Sequence, residues 1–142
     1  MFTGEYNHTI DAKGRLIVPA KFRTKLGEAF VITNGNDGCL AIYAKEDWEA
    51  FLEQLKAIPN NKAKRTFVRN FVSAANEVEV DKQGRILIPT TLRENAGIEK
   101  DVVLAGVIDK IEVWDKERWE ETSSVEDIDD ISEQLADLGL SI

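Results

Sequence analysis

Two short stretches of the chain concentrate the side chains that could do chemistry. Asp11-Ala-Lys13-Gly14-Arg15 and Asp81-Lys82-Gln-Gly84-Arg85 each set an arginine four residues after an aspartate, and Lys21, Arg23 and Arg93 follow within eight residues. A guanidinium is a planar fork that pairs bidentately with phosphate or with the major-groove edge of guanine, whereas lysine contributes mainly a point charge. Two such cationic tips suit nucleic acid. The same spacing also makes a local ion pair that simply holds a turn. The two readings are compatible, because an aspartate can orient an arginine that reads DNA.

Other chemistries find less support. The one histidine, His8, sits at an alternating position, as a packed or edge-strand residue would, and no Ser/His/Asp or Cys/His set assembles around it. Carboxylates are numerous enough to leave a two-carboxylate hydrolase open by count, but nothing singles out a pair, Asp11 and Asp81 included. Beside Arg15 and Arg85, ion pairing and backbone bonding keep these two ionised and unsuited to proton donation. Metal-ligand spacing is missing, so no metal or other cofactor is expected. The single cysteine, Cys39, excludes an internal disulfide framework and a site of paired thiolates, and is expected as a half-buried strand residue. Asn34-Gly-Asn-Asp-Gly38 is glycine-rich, but it lacks a phosphate-loop lysine and a strand-to-helix context and reads as a hairpin turn. The expectation is a protein that is not an enzyme and takes no small-molecule substrate.

The elements that must carry the two tips come in duplicate. Residues 11–27 align with 81–97 at a constant offset of 70, with six of 17 positions identical and four apolar-for-apolar exchanges. The match resumes at offset 71, where Tyr43-Ala-Lys-Glu-Asp-Trp48-Glu parallels Trp114-Asp-Lys-Glu-Arg-Trp119-Glu. Each copy opens on an extended run (residues 4–10 and 77–80). In the first, Tyr6, His8 and Ile10 alternate with polar residues. Asp-x-x-Gly then reads as a tight turn, with Asp bonding the backbone just ahead and Gly14 or Gly84 accepting positive φ. A strand over 15–18 follows, with Pro19 in the first turn of a short helix and Gly27 as a left-handed cap; Pro89 and Gly97 repeat this. Hairpin arms are expected at 30–33 and 39–43, and at 102–106 and 110–114. Between the copies the spacing predicts amphipathic helices over 45–58 and 61–75, the second with a basic stripe of Lys62, Arg65 and Arg69.

Charge refines the picture. The 142 residues hold 18 basic and 26 acidic side chains, a formal net charge of −8, which taken whole argues against nucleic acid. Residues 121–142, however, hold seven acids and no lysine or arginine, so the first 120 carry −1 and residues 1–70 carry +3. What matters for DNA is the local field at the turns. The tail reads as an acidic amphipathic helix, capped by Ser124 with Asp127 three residues on, and with Val125, Ile128, Ile131, Leu135 and Leu138 on one side. Such a helix is marginal alone and is expected to pack on its own body or on a neighbour. No leader-like segment or membrane-length apolar run is read, and a cytoplasmic protein is expected.

The start MFTGEYNHTIDAKGRLIVPAKFR, the second motif DKQGRILIP, the late IEVWDKERWE and the 70-residue spacing closely resemble the MraZ family of bacterial regulators of the cell-division and wall cluster. The resemblance covers roughly residues 1–121. Since the family's halves are of the AbrB-like swapped-hairpin class, the resemblance implies an α+β fold. Two tandem hairpin/helix repeats would form an intrachain pseudo-dimeric barrel, with connecting helices and an acidic C-terminal helix. By that reading, residues 4–47 and 76–119 are DNA-binding repeats, 48–75 link them, and 120–142 form the tail. The implied function is a transcription factor, generally a repressor, that binds double-stranded DNA at direct repeats in its own promoter. It acts as a closed homo-oligomeric ring associated with the nucleoid. Asp11, Arg15, Asp81 and Arg85 occupy the family motif positions, and Lys13 lies within the first motif. Lys82, Lys21, Arg23 and Arg93 are assigned by proximity.

Physical argument leads the same way. A unit of about 45 residues is too small to bury a comfortable core alone, so the copies should complete each other. A head-to-tail contact between copies of different chains closes into a ring or runs on as a filament. The runner-up is an antitoxin-like protein-binding module that uses the acidic helix.

Overall fold

The computed structural model describes residues 1–122 and 127–141. The duplicated apolar pattern yields the same series of elements twice. Strand β1 (Glu5–Thr9) leads through the first turn to β2 (Arg15–Ile17), helix α1 (Ala20–Leu26) and the hairpin β3 (Ala29–Asn34) and β4 (Leu40–Tyr43). Helices α2 (Lys45–Ala57) and α3 (Lys62–Phe67), with a π turn over Val68–Val72, lead into the second copy. That copy is β5 (Asn76–Glu79), β6 (Arg85–Leu87), α4 (Thr90–Asn95), β7 (Asp101–Gly106), β8 (Ile111–Asp115) and α5 (Lys116–Thr122). Helix α6 (Ile128–Ala136) lies in the tail.

The result is a mixed α+β fold in which the copies exchange their first strands. A six-stranded antiparallel sheet runs β1-β7-β8-β4-β3-β5, and β2 and β6 form a separate two-stranded ribbon. Strand β1 of the first copy adds to the hairpin of the second, with His8 opposite Val102. Strand β5 of the second adds to the hairpin of the first, with Val78 opposite Phe30. The two hairpins meet at β4 and β8 in the middle of the sheet. Neither copy has a complete sheet or core without the other, as expected of an intrachain pseudo-dimer.

The ribbon and the short helices α1 and α4 close one face of the sheet. Leu16, Val18 and Phe22 of one copy and Ile86, Ile88 and Leu92 of the other share a single core with Phe30, Ile32, Leu40, Ile42, Leu104 and Ile111. Full burial of each such side chain is worth roughly 1.5–3 kcal/mol. On the other face, aromatic pairs staple each closing strand to the helix after it. Tyr43 lies 5.4 Å from Trp48, and Trp114 lies 5.9 Å from Trp119, so the offset-71 repeat has one structural role in both copies.

Four local expectations change. Helix 61–75 is not continuous: after Phe67 the bonding widens, and the Ser73 amide donates to the Val68 carbonyl. The Thr33 hydroxyl donates to the Phe71 carbonyl and the Asn34 amide to the Asn70 carbonyl, so strand β3 ties down the end of this segment. Pro19 and Pro89 stand one residue before their helices, at φ −51° and −55°, where their carbonyls accept the first helical bonds. Gly27 has positive φ but ψ −168°, an extended exit into β3 rather than a left-handed cap. Cys39 is 3% exposed and sits just ahead of β4, and burial followed by the nearby Glu112 carboxylate pushes its thiol up to about 12. It is therefore protonated and unreactive at neutral pH.

In the tail, Ser124 and Val125 lie outside the described residues. Ile128, Ile131, Leu135 and Leu138 are exposed, so this side of α6 is not covered by the body of the chain.

Candidate nucleic-acid interface

Each motif turn is built around its aspartate. Asp11 Oδ1 accepts from the amides of Lys13 and Arg15, both at 2.9 Å, and its Oδ2 accepts from Arg15 Nε at 2.7 Å. Asp81 repeats the pattern with the amides of Gln83 and Arg85 at 2.9 Å and Arg85 Nε at 3.0 Å. The short carboxylate thus satisfies the turn's own donors and aims the guanidinium, leaving its other nitrogens for a ligand. The Arg15 amide first, then the Arg15 guanidinium and the Lys13 amide, hold the Asp11 carboxyl below its ordinary value against the opposing effect of partial burial. Asp81 is lowered in the same way, the Arg85 amide being the chief cause. A lowered folded-state pKa stabilises the turn fully above the ordinary aspartate pKa of about 3.9, and this stabilisation is lost as pH falls from there through the lowered value. Both braces are ionised at neutral pH.

The ribbon brings the two motifs together. Arg15 stands opposite Leu87, Leu16 opposite Ile86 and Ile17 opposite Arg85. Bonds from Val18 N–H to the Gly84 carbonyl and from Ile88 N–H to the Gly14 carbonyl, both 2.9 Å, extend the ladder at either end. The antiparallel alternation then puts Arg15–Leu87 and Ile17–Arg85 at the non-hydrogen-bonded positions, where opposite Cα atoms are only about 4.5 Å apart. Leu16 and Ile86 point into the core, at 0% and 1% exposure, so the two arginines share the outer face. Arg85 also reaches Asp11 of the other motif, with its Nη1 4.0 Å from Oδ2. Its side chain is accordingly less exposed than that of Arg15, 25% against 35%.

Arg23 and Arg93 have a different place from the tips. Arg23 Nε donates to the Val18 carbonyl at 2.9 Å and Arg93 Nε to the Ile88 carbonyl at 3.0 Å. Each guanidinium lies over the glycine of the opposite copy's turn. A Cβ on Gly14 would come within 2.7 Å of Arg93 Cζ, and one on Gly84 within 3.1 Å of Arg23 Cζ. The spacing within one copy cannot reveal these contacts, because each is made to the other copy. Lys13 and Lys82 are exposed on the turns. Lys21 is exposed on α1 beside Gly4. Sequence reasoning also passed over Ile17 and Leu87, which share the outer face with Arg15 and Arg85. Period-two alternation from Arg15 is the signal that would have found them.

This ribbon defines a class: a tandem-repeat α+β protein with exchanged strands that presents two aspartate-braced arginines on one face. Comparison with known proteins gives that class a family. A family model described as "MraZ protein, putative antitoxin-like" matches residues 1–70 and again 71–138. The chain is 57% identical over 141 residues to a "Transcriptional regulator MraZ" of Lachnoclostridium phytofermentans, with 99% of each chain covered. Proteins of the same name from Clostridium beijerinckii and Clostridium tetani are 54% and 50% identical, with 99% of this chain and 100% of each relative covered. The chain belongs to the MraZ family.

Proposed function

We propose that this protein is a transcriptional regulator that binds double-stranded DNA in a sequence-specific way, with Arg15 and Arg85 as its reading residues. The observation that carries the proposal is the ribbon face, where two guanidinium groups are each braced by a carboxylate and backed by the buried Leu16 and Ile86. A braced arginine loses little side-chain entropy on binding, and its free N–H groups suit guanine or phosphate. The names of the relatives support the same reading. In it, residues 4–47 and 76–119 are the DNA-binding repeats, 48–75 connect them and 120–142 form the tail. Lys13 and Lys82 contact the backbone, while Arg23 and Arg93 position the turns. The protein works in the cytoplasm at the nucleoid and needs no cofactor.

The finer reading follows the resemblance: a repressor of the bacterial cell-division and cell-wall gene cluster that binds direct repeats in its own promoter. Head-to-tail contacts between chains close into a ring, and consecutive tips engage consecutive boxes. Linking several weak tips in this way raises affinity through effective concentration.

The test is a mobility shift and footprint on the DNA immediately upstream of the protein's own gene. Each arginine–guanine pairing is worth about 1–3 kcal/mol, and Arg15→Ala removes one from every subunit of the ring. That variant therefore abolishes binding while leaving the assembly intact; Arg85→Ala is similar or milder. Affinity falls steeply with added salt as counterions are released. Unaffected binding by both variants, or a flat salt response, overturns the proposal.

A second reading is favoured by the uncovered apolar side of α6. In that case the acidic helix binds a basic protein in the manner of an antitoxin, and deleting it loses the partner while DNA binding persists.

A further inference from the structure

The outer face of the ribbon is not wholly cationic. Ile17 is 42% and Leu87 58% exposed, and each stands directly opposite an arginine of the other copy, Ile17 across from Arg85 and Leu87 across from Arg15. Single exposed apolar residues are ordinary on protein surfaces. These two differ in occupying equivalent positions of the duplicated unit, at the centre of the proposed interface. Exposed neighbours of the ribbon in the aligned stretch have diverged, as Lys13 against Gln83 and Lys21 against Thr91 show, although Lys45 and Glu46 after β4 do match Lys116 and Glu117 after β8. The outward ribbon position has kept a branched aliphatic side chain in both. It cannot serve the core, because alternation sends Leu16 and Ile86 inward and these two outward.

A two-stranded ribbon fits the major groove. There guanine offers two acceptors, which suit an arginine fork, and thymine offers a methyl group, which suits an aliphatic side chain. Arg15 beside Leu87 and Arg85 beside Ile17 are thus two paired sets, each able to take a guanine acceptor edge and a neighbouring methyl. From this arrangement we infer that Ile17 and Leu87 are base-contacting residues that select thymine, by its methyl group, next to the guanines read by Arg85 and Arg15. The inference rests on the DNA-binding reading of the ribbon and adds the second half of its specificity.

The experiment takes the full chain and a library of random-sequence duplexes, from which the bound duplex is selected and sequenced. Each thymine of that duplex is then replaced by uracil, which removes only the methyl. Binding is measured for the unmodified chain, for Ile17→Ala and for Leu87→Ala. At one or more positions, the uracil replacement weakens binding by the unmodified chain about three- to fivefold, as expected for loss of one buried methyl. The same replacement then costs nothing further in the Ile17→Ala or Leu87→Ala variant, which marks a direct contact. A selected duplex indifferent to uracil, or a uracil penalty unchanged in both variants, overturns the inference while leaving DNA binding standing. Sedimentation of the variants is the control. Loss of assembly in Ile17→Ala or Leu87→Ala, with the uracil response retained, makes these side chains a subunit contact and also overturns it. If no duplex is selected at all, the DNA-binding reading falls and the inference falls with it.

Discussion

Glycine and arginine meet across the two copies at the residue scale. Gly14 has φ +87°, where an L side chain is strained, and the Arg93 guanidinium occupies the space a Cβ would need. Gly14→Ala should therefore cost about 1–3 kcal/mol. In a chain of this size that lowers Tm by roughly 3–12 °C, measured by thermal unfolding. Gly84→Ala should cost less, because Arg23 stands 3.1 Å rather than 2.7 Å from the added carbon. Removing the crowding side chain relieves part of the defect, so Gly14→Ala with Arg93→Ala should be less destabilising than the sum of the two. Additive losses would show that the strain is in the backbone alone.

The connection between the copies, at the scale of elements, is held less by its own helical propensity than by strand β3. The buried Thr33 hydroxyl bonds the Phe71 carbonyl at the end of the π turn, where helix carbonyls have no intrahelical partner. Phe71 stacks on Phe67 at 4.5 Å and also approaches Phe51 of α2, so α2, α3 and the turn pack as one layer. Thr33→Val keeps the shape and removes the donor. It leaves a carbonyl unpaired and should cost about 1–3 kcal/mol in urea unfolding. Amide exchange should quicken over residues 67–73 first, since local opening starts where the tie was cut. An unchanged urea midpoint would mean that solvent satisfies that carbonyl.

Charge is unevenly distributed over the whole molecule. The net −8 comes almost entirely from residues 121–142, while the ribbon and its turns gather Lys13, Arg15, Lys82 and Arg85 around two ion-paired aspartates. A chain can be acidic overall and still present a local positive field to DNA. If the tail also repels DNA from surfaces other than the ribbon, a chain ending at residue 120 should bind nonspecific duplex more tightly. Its preference for the operator should narrow. Measuring both affinities at several salt concentrations checks this, and equal nonspecific binding with and without the tail would contradict it.

Much of this was legible in the sequence because it depends on short-range physics. The Asp-x-x-Gly turn and the alternation of the strands are each set within a few residues and survive into the structure, as does the 70-residue duplication. The braced arginines follow from the same local rule, as a carboxylate four residues back accepts both the amide and the guanidinium. Only tertiary structure decided which strand pairs with which. The exchange of β1 and β5, the crossing of Arg23 and Arg93 to the opposite turn, and the joining of Arg15, Ile17, Arg85 and Leu87 on one face all link residues of different copies, far apart in the chain. Periodicity within a segment tells which side of a strand is apolar, not whose apolar side will cover it. That is settled by the burial available to the assembled chain, which two half-sized units reach only by completing one core between them.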